Sequence, residues 1–570
     1  MIDLLCGTDR RAFGVRTLLD LEGIPYRFIV RAEEFAGRML VIATDRLDAG
    51  ALALARKVPT LVIGAPEALV RDRFEGTVRF AGETAVTMPL DDTLWPAGVR
   101  AQAARFGKSA LSLPHAPVFV AAPRAASVLA TRLSGGDRLP VVLRQGTCWW
   151  CFVDIGSAFA DLLDEAYWEQ PGERRRRIPR SILWLYYHAP EVLRRLLQHR
   201  TYARLERARA ARGETSAEYP VDATGWLTVE LMKALVRTVA GGLVRVGRWP
   251  APYAAAATLT HDLEPTRFAY TQGLERLLRR VERGGPPATF GVVARPAARY
   301  LHGETAARIG HHAVLCHGTE HRGETVVGNT GDVMGELRRA RQLLHTQLGR
   351  PIEGFRSPRL DRSSTLLAAL HHVGVAWDSS YPDVDRENTR GFGGGVRLNL
   401  PFRPPVLTEG GVIRGSACLE LPVSAPDCIQ PLFQGATPGA LGRAVTEKLD
   451  FVEATGGLYV GIVHAGVFGP RDGARRGAHL GFVRRRLARE SFWVTTADDI
   501  AAWWRARERI EVSVVEGVAT VVNHARQVVE GLRLIVERSD GEESVHEIAA
   551  LPAGGWATIP LDGWRREAWR

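Results

Sequence analysis

A chain of 570 residues is longer than one hydrophobic core normally organises, so we expect three or four domains. Its 46% hydrophobic and 24% charged residues are ordinary for a soluble globular protein. The net charge of +11 permits weak attraction to anionic surfaces, but we find neither zinc-finger spacing nor a basic stripe interleaved with aromatic residues, which argues against a nucleic-acid partner.

The first residues include an early acid and no apolar signal-peptide core, and no run of about 18 apolar residues occurs in the sequence. We therefore expect a cytoplasmic protein without a transmembrane segment. Six cysteines in a chain of this length do not predict a disulfide framework. Cys148 and Cys151 have the spacing of a redox or zinc pair, but their apolar surroundings favour buried core thiols.

Residues 1–165 alternate apolar runs with helical patterns. Apolar runs at 40–44 and 60–64 enclose a helical pattern at 49–57, which is the rhythm of β-α-β units and predicts a doubly wound parallel sheet. The segment faintly resembles the class I glutamine amidotransferase-like fold, but it lacks that family's nucleophilic cysteine on a sharp glycine-flanked turn. We expect a non-catalytic support or recognition domain.

Residues 166–250 are expected to form a helical connector. A basic run at 174–177 precedes apolar residues at helical spacing between 182 and 197. A helix that bridges two domains with a solvated arginine face is favoured over a helix lying on a membrane surface. The polar, turn-rich stretch 213–225 predicts an exposed linker.

Residues 251–507 return to alternating strands and helices, with polar residues at the strand ends. This arrangement predicts a barrel-like α/β domain with its site at one mouth. The stretch 495–500 has the pattern of an N-capped final helix. Residues 508–570 contain short alternating segments separated by turns, which predict a small all-β accessory module, either glycan-binding or purely structural.

The segment 257–264 is the most informative for chemistry. Small and apolar residues lead into it and Pro265 ends it, so it predicts a buried strand whose last residues emerge from the sheet. Side chains alternate across a strand, which places Asp262 and Glu264 on one face. Two carboxylates on one face are costly unless a cation or proton transfer justifies them.

Histidines and an arginine follow other apolar runs further along the chain. His317 and His321 are four residues apart, which suits two ligands of one cation on a helical turn, although Gly318 favours a strand-to-loop exit. Arg356 precedes Ser-Pro and is either a surface arginine or the holder of a catalytic carboxylate by a bidentate bond. His464 follows an apolar run and is either a buried capped histidine or a general acid at a strand end.

Five motifs occur in order: T-H-D-L-E at 260–264, H-G-T-E-H at 317–321, R-S-P at 356–358, W-D-S-S at 377–380 and I-V-H at 462–464. Together they resemble the polysaccharide deacetylase (NodB-homology, carbohydrate esterase family 4-like) family, over about residues 254–507. The resemblance implies a distorted (β/α) barrel. It also implies a divalent metal, usually zinc, bound by one carboxylate and two histidines.

Carried over residue by residue, the resemblance makes Asp262 the base and His317 and His321 metal ligands. It makes Arg356 the residue that orients the base, and His464 the acid. Leu263 stands where the family commonly has a second aspartate, so the alternating-acid variant would make Glu264 the third ligand.

The fourth motif offers Asp378 as the partner that tunes His464, with Asp383 as a rival. A glycine- and proline-rich stretch at 391–415 is interpreted as an insertion that shapes the substrate mouth, and Glu420 just beyond it as a further lining residue.

The sequence thus predicts a metal-dependent hydrolase that removes N-acetyl groups from a carbohydrate or glycan, acting on carbon-nitrogen bonds other than peptide bonds. Two alternatives stay open: a catalytically inactive glycan-binding or assembly protein, and an amidase on a non-sugar amide such as a ureide. The predicted layout has four parts, namely 1–165, a connector at 166–250, the barrel at 251–507 and the β module at 508–570.

Overall fold

The computed structural model describes residues 2–134, 137–164, 218–283, 285–321, 329–360, 362–384, 395–408, 410–424, 438–465, 473–538 and 542–561. The basic run at 174–177 and most of the predicted connector therefore lie outside the described residues. In the described part of the chain, no helix combines the length and the apolar character needed to cross a lipid bilayer.

The N-terminal part is built on a nine-stranded sheet in the order β2-β1-β3-β4-β9-β8-β7-β5-β6. Its strands are β1 (Ile2–Cys6), β2 (Tyr26–Ile29), β3 (Met39–Ala43), β4 (Thr60–Ile63), β5 (Gly76–Pro89), β6 (Ala110–Pro123), β7 (Ser127–Ser134), β8 (Asp137–Gln145) and β9 (Cys148–Cys151). The described helices of this part are α1 (Arg10–Glu22), α2 (Ala49–Ala55), α3 (Glu67–Arg73), α4 (Ala97–Arg105) and α5 (Ile155–Leu163).

The predicted parallel sheet is correct for five of these strands and wrong for the rest. Strands β1 to β4 and β9 pair in parallel, whereas β5 to β8 pair with antiparallel neighbours and β9 pairs antiparallel with β8. Only two residues join β8 to β9, and Gly146 there has a φ of 58°. A parallel pair needs a crossover of a dozen residues or more, so this connection permits only an antiparallel pair.

The described part of the connector region is buried. Helix α6 (Thr224–Ala240) and strand β10 (Gly242–Val246) lie there. The predicted exposed linker is wrong for its described end, because Val221, Asp222 and Ala223 are buried. Gly225 packs against the backbone of Arg397, where a β-carbon would lie 2.3 Å from the carbonyl oxygen.

The second large sheet has eight parallel strands and forms a half-barrel. Its order is β18-β15-β14-β13-β12-β11-β19, and β20 pairs with the start of β11. The strands are β11 (Ala255–Asp262), β12 (Thr289–Val292), β13 (Ala313–Cys316), β14 (Gly354–Phe355), β15 (Trp377–Asp378), β18 (Leu419–Glu420), β19 (Leu458–Ile462) and β20 (Phe492–Val494).

Helices alternate with these strands, as the sequence pattern predicts. They are α7 (Leu274–Val281), α8 (Ala294–Tyr300), α9 (Gly303–Gly310), α10 (Thr330–Leu348), α11 (Ser364–Val373), α12 (Pro438–Thr455), α13 (Gly473–Leu487) and α14 (Ala497–Arg507). A hairpin of β16 (Pro405–Leu407) and β17 (Ile413–Gly415) lies in the predicted insertion, and the amide of Ile413 bonds to the carbonyl of Thr8 at 3.0 Å.

The C-terminal strands form two antiparallel sheets. One contains β21 (Ile510–Val515), β22 (Val518–Asn523) and β25 (Trp556–Pro560); the other contains β23 (Val529–Arg538) and β24 (Glu543–Leu551) together with β10. The β character predicted after residue 508 is therefore correct, but β10 comes from before the half-barrel. One hydrophobic cluster contains Leu4, Leu235, Trp377, Val521 and Leu534. The predicted boundaries at 165, 250 and 507 remain predictions.

Candidate active site

The site lies where four parallel strands of the half-barrel end. Strand β11 ends at Asp262, β13 ends just before His317, β14 just before Arg356, and β19 two residues before His464. Because the carboxyl ends of parallel strands face the same rim, side chains at these positions are brought together. The rim therefore collects the predicted base, one histidine, the arginine and the predicted acid.

Asp262 is almost fully buried, with 3% of its surface exposed. Its Oδ1 accepts a hydrogen bond from Arg356 Nη1 at 3.0 Å, and its Oδ2 lies 3.9 Å from His317 Nε2. Burial raises the pKa of this carboxyl, but the charge of Arg356, joined at low pH by those of His317 and His464, outweighs burial and holds the pKa well below its usual range. Asp262 is therefore ionised throughout the neutral range.

Arg356 is completely buried, which overturns the surface alternative. Its Nη1 also donates to Thr260 Oγ1 at 2.7 Å, its Nε donates to the Ser379 carbonyl at 2.8 Å, and its Nη2 donates to Ser379 Oγ at 2.8 Å. The bond to Asp262 is single rather than bidentate, because Ser379 occupies the Nε and Nη2 edge of the guanidinium. Arg356 thus fixes the carboxylate of Asp262 and its own orientation is fixed by Ser379.

His317 and His321 approach each other without a helical turn, as Gly318 indicated. Gly318 and His321 both have positive φ angles, 79° and 58°, and the two imidazole rings meet edge to face with centroids 4.9 Å apart. His317 Nδ1 lies 2.9 Å from the Arg356 carbonyl, which accepts from it and leaves Nε2 with a free lone pair. Burial lowers the pKa of His317 to about 4, so the ring is neutral.

Glu264 lies beyond the end of β11, and its side chain is 39% exposed. Its Oε2 is 3.9 Å from His321 Nε2, and its Oε1 is 3.6 Å from His464 Nε2. These separations are too long for hydrogen bonds, but they place one carboxylate between two imidazoles. His464 is itself 22% exposed, so it faces the open side of the rim.

The two predicted partners of His464 are bonded elsewhere. Asp378 Oδ1 accepts from the Ser379 amide at 2.8 Å and from Ser380 Oγ at 2.6 Å, whereas Asp383 forms a buried ion pair with Lys448 at 2.7 Å. Asp378 and Asp383 are both buried, and burial raises the pKa of each to about 6. Within the described residues, these bonds do not bring either carboxylate to His464.

A divalent metal, which the family resemblance implies, has donors of suitable type here. Among the described residues, no group of three or more histidine, cysteine or acidic side chains is already arranged to hold a metal ion. Two tetrahedral zinc ligands about 2.1 Å from the ion are about 3.4 Å apart, so the His321–Glu264 pair is only about 0.5 Å too wide. His317 has the Nδ1–carbonyl bond that metal-binding imidazoles usually have. The donor set of His317, His321 and Glu264 therefore fits chemically.

Three contributors to the site were not predicted from the sequence. Thr260 and Ser379 orient Arg356, and Gly291 makes room for Asp262. Gly291 is the strand partner of Asp262, and a β-carbon on it would lie 2.2 Å from Asp262 Oδ1. A glycine inside the apolar strand β12 was an available signal, since such glycines mark close approach of a neighbouring group.

The chain matches no protein-family model and no curated protein. Among solved structures, it is similar to a protein described as a polysaccharide deacetylase from Mycobacterium smegmatis, at 21% identity and a TM-score of 0.37, over 47% of this chain and 96% of that one. An allantoinase is similar at 15% identity and a TM-score of 0.36, over 45% and 93%. An acetyl xylan esterase from Clostridium thermocellum, solved with a cobalt ion, is similar at 15% identity and a TM-score of 0.27, over 43% and 90%.

The matched structures thus include members of the family that the five motifs resemble. They extend over less than half of this chain and at low identity, so their chemistry is not transferred by the match. The chemistry of the rim rests on the side chains described above.

Proposed function

We propose that this chain is a metal-dependent hydrolase that removes N-acetyl groups from a carbohydrate or glycan. The observation that carries the proposal is the convergence of five side chains with a buried arginine at one rim. Asp262 is ionised and bonded to that arginine, one imidazole lies near Asp262, and two more imidazoles lie near Glu264. Buried charge of this kind is costly for stability alone and is typical of sites that move protons. The substrate class, an N-acetylated carbohydrate, is what the motif resemblance implies.

Asp262 is the base in this reaction. It takes one proton from the water whose oxygen bonds to the acyl carbon, and Arg356 holds the carboxylate in place during the transfer. Because the pKa of Asp262 is held low, it is always ready to accept a proton but is a weak base. A divalent ion held by His317, His321 and Glu264 would supply what this base lacks, since zinc lowers the pKa of bound water to about 7.

His464 is the acid. It faces the open side of the rim, where it delivers a proton to the nitrogen as the carbon-nitrogen bond breaks. The products are acetate and the free amine of the sugar. Asp262 thus accepts a proton from the water that attacks, and His464 donates a proton to the nitrogen that leaves.

The test is acetate release by the purified full chain, supplied with zinc or cobalt, from a panel of N-acetylated mono- and oligosaccharides. A ureide and a simple aliphatic amide are run in parallel. Acetate release that a chelator abolishes and added metal restores supports the proposal. Turnover of the ureide or the aliphatic amide alone identifies a non-sugar amidase, and metal binding without any turnover identifies an inactive member.

A further inference from the structure

Two buried carboxyl groups lie side by side beneath the rim. Asp378 on β15 and Glu420 on β18 are directly paired residues of neighbouring parallel strands, and they are 2% and 0% exposed. Because they are register partners, their side chains lie next to each other on the same face of the sheet, and each carboxyl group affects the pKa of the other. Glu420 Oε1 accepts from the Tyr381 amide at 3.0 Å, but among the described residues no donor reaches the buried Glu420 Oε2.

Two ionised carboxylates in this position would repel each other without solvent to screen them. Among the described residues, the cations with the largest effect on the pair are Arg356 and Arg362. Arg356 donates to Ser379, Thr260 and Asp262, and Arg362 donates to the carbonyls of Leu360 and Ser380. The buried thiol of Cys418 is a further ionisable neighbour of the pair.

A proton shared by the two carboxyl groups would remove the repulsion between them. It removes one charge and gives Glu420 Oε2 the donor that it lacks. Burial is the main cause that raises the pKa of both groups, to about 6 for Asp378 and well above the usual value for Glu420.

The pair is connected to the base through two consecutive serines. Ser380 Oγ donates to Asp378 Oδ1 and accepts from the Ser357 amide at 2.8 Å, while the Ser379 amide donates to the same Oδ1. Ser379 in turn accepts from Arg356 through its hydroxyl and its carbonyl, and Arg356 donates to Asp262. Asp378 therefore helps to position Ser379, whose hydroxyl and carbonyl groups hold Arg356.

We propose, on the basis of the hydrolase function above, that Asp378 and Glu420 are positioning residues that share one proton at neutral pH. This proton locks the Ser379–Ser380 segment, and through it Arg356, against Asp262. When the proton leaves at high pH, the pair separates by repulsion and Asp262 loses its fixed orientation, so turnover declines while substrate affinity changes little.

The test uses Glu420→Gln, whose amide donates to Asp378 at every pH. Glu511→Gln is the matched control, because Glu511 is an exposed carboxylate on the C-terminal sheet with a side chain that is 67% exposed. The infrared difference spectrum between wild type and Glu420→Gln at neutral pH should contain the band of a protonated carboxylic acid, and the Glu511→Gln difference should not. This readout does not depend on any enzymatic activity.

Two further readouts test the positioning role. In wild type, the protection of amide hydrogens in peptides covering 354–360 and 377–381, measured relative to their intrinsic exchange rate at each pH, should fall reversibly at high pH. In Glu420→Gln this protection should not fall. If acetate release is established, kcat should decline at a higher pH in Glu420→Gln than in wild type, with KM unchanged. Absence of the carboxylic acid band, or the same high-pH behaviour in both proteins, would overturn the proposal. If the carboxylic acid band and the exchange effect are observed but no hydrolysis is, the shared proton is supported and only the proposed function is rejected.

Discussion

Asp262 and Glu264 are two residues apart, yet their surroundings give them different chemistry. Asp262 is buried and bonded to Arg356, whereas the Glu264 side chain is 39% exposed and lies within 4 Å of two imidazole nitrogens. An arginine-bound carboxylate has one oxygen already occupied, while Glu264 has both oxygens turned toward histidines. This difference favours Asp262 as the base and Glu264 as the ligand.

Asp262→Asn should keep the bound metal but lose turnover by about 10²–10⁴-fold, the range typical of a general base. Glu264→Gln should lose both, because a site with three protein ligands has no spare donor. Metal stoichiometry and kcat are measured side by side for the two variants. An empty site in Asp262→Asn with a filled site in Glu264→Gln would reverse the two assignments, since His317 Nε2 faces Asp262.

Gly291→Ala is expected to displace the base although no charged residue is replaced. Its β-carbon would lie 2.2 Å from Asp262 Oδ1, the atom that Arg356 also binds, so the carboxylate has to move. A displacement of about 1 Å can cost on the order of 10²-fold in rate, and overpacking costs about 1–3 kcal/mol of stability. The measurements are kcat/KM and the free energy of unfolding.

Gly335→Ala is the control for this substitution. Gly335 lies on an exposed face of α10, and a β-carbon there meets nothing within 4 Å. Replacing a helical glycine by alanine should leave turnover unchanged and stabilise the chain by up to about 1 kcal/mol. Equal losses of rate in both variants would show that Gly291 has no special relation to Asp262.

At the scale of secondary structure, the final helix of the half-barrel illustrates a correct local prediction. The sequence at 495–500 predicted an N-capped helix, and α14 begins with a capping box in which Thr496 and Asp499 bond to each other's backbone amides. The amide of Ala497 also bonds to Thr289 Oγ1 on β12 at 2.9 Å. The cap therefore fixes the helix against the strand that carries Gly291.

Thr496→Ala should lower the free energy of unfolding by about 1 kcal/mol, because the amide at the third helical position loses its acceptor. Thr496→Ser keeps the hydroxyl and should cost much less. Denaturant titration of both variants checks this prediction. It fails if serine and alanine are equally destabilising, since methyl packing rather than the cap would then be responsible.

Local patterns identified the strand ends of the site but not how the side chains would be paired. Asp262, His317, Arg356 and His464 each follow an apolar run, so their common rim was predictable from β-α rhythm. The contact of Asp378 with Glu420 depends on which strands are neighbours, and their 42-residue separation leaves no periodic signal. The antiparallel half of the N-terminal sheet was missed because apolar runs alone do not give strand direction.

At the scale of the whole molecule, the parts predicted as separate domains are joined by buried polar contacts. Arg507, at the end of α14, is 3% exposed and donates to four carbonyls: those of Asp20 and Leu21 in α1, of Val246 at the end of β10, and of Gly247 just after it. Segments about 490 and 260 residues apart in sequence meet at one side chain. No feature of the sequence around Arg507 predicts such partners.

Glu22 lies in the same region and provides the strongest test of this connection. It is fully buried at the end of α1 and forms ion pairs with Arg248 and, at 3.7 Å, with Arg245 of β10. Glu22→Gln should therefore leave buried cations without their partner.

Burial alone raises the pKa of Glu22, but Arg248, Lys233 and Arg245 outweigh it and hold the pKa far below its usual value. The stabilisation is thus fully present above the unfolded-state pKa of about 4.3 and is lost as the pH falls toward the folded-state pKa. At pH 7, Glu22→Gln should lower the free energy of unfolding by about 3–5 kcal/mol. The difference from wild type should shrink below about pH 4.

The control is Glu67→Gln, which breaks an exposed pair with Arg71 and should cost at most about 0.5 kcal/mol. Denaturant titrations at pH 7 and at pH 3 measure both variants, and a difference for Glu22→Gln that stays constant between these pH values would mean that its charge does not hold α1 against β10.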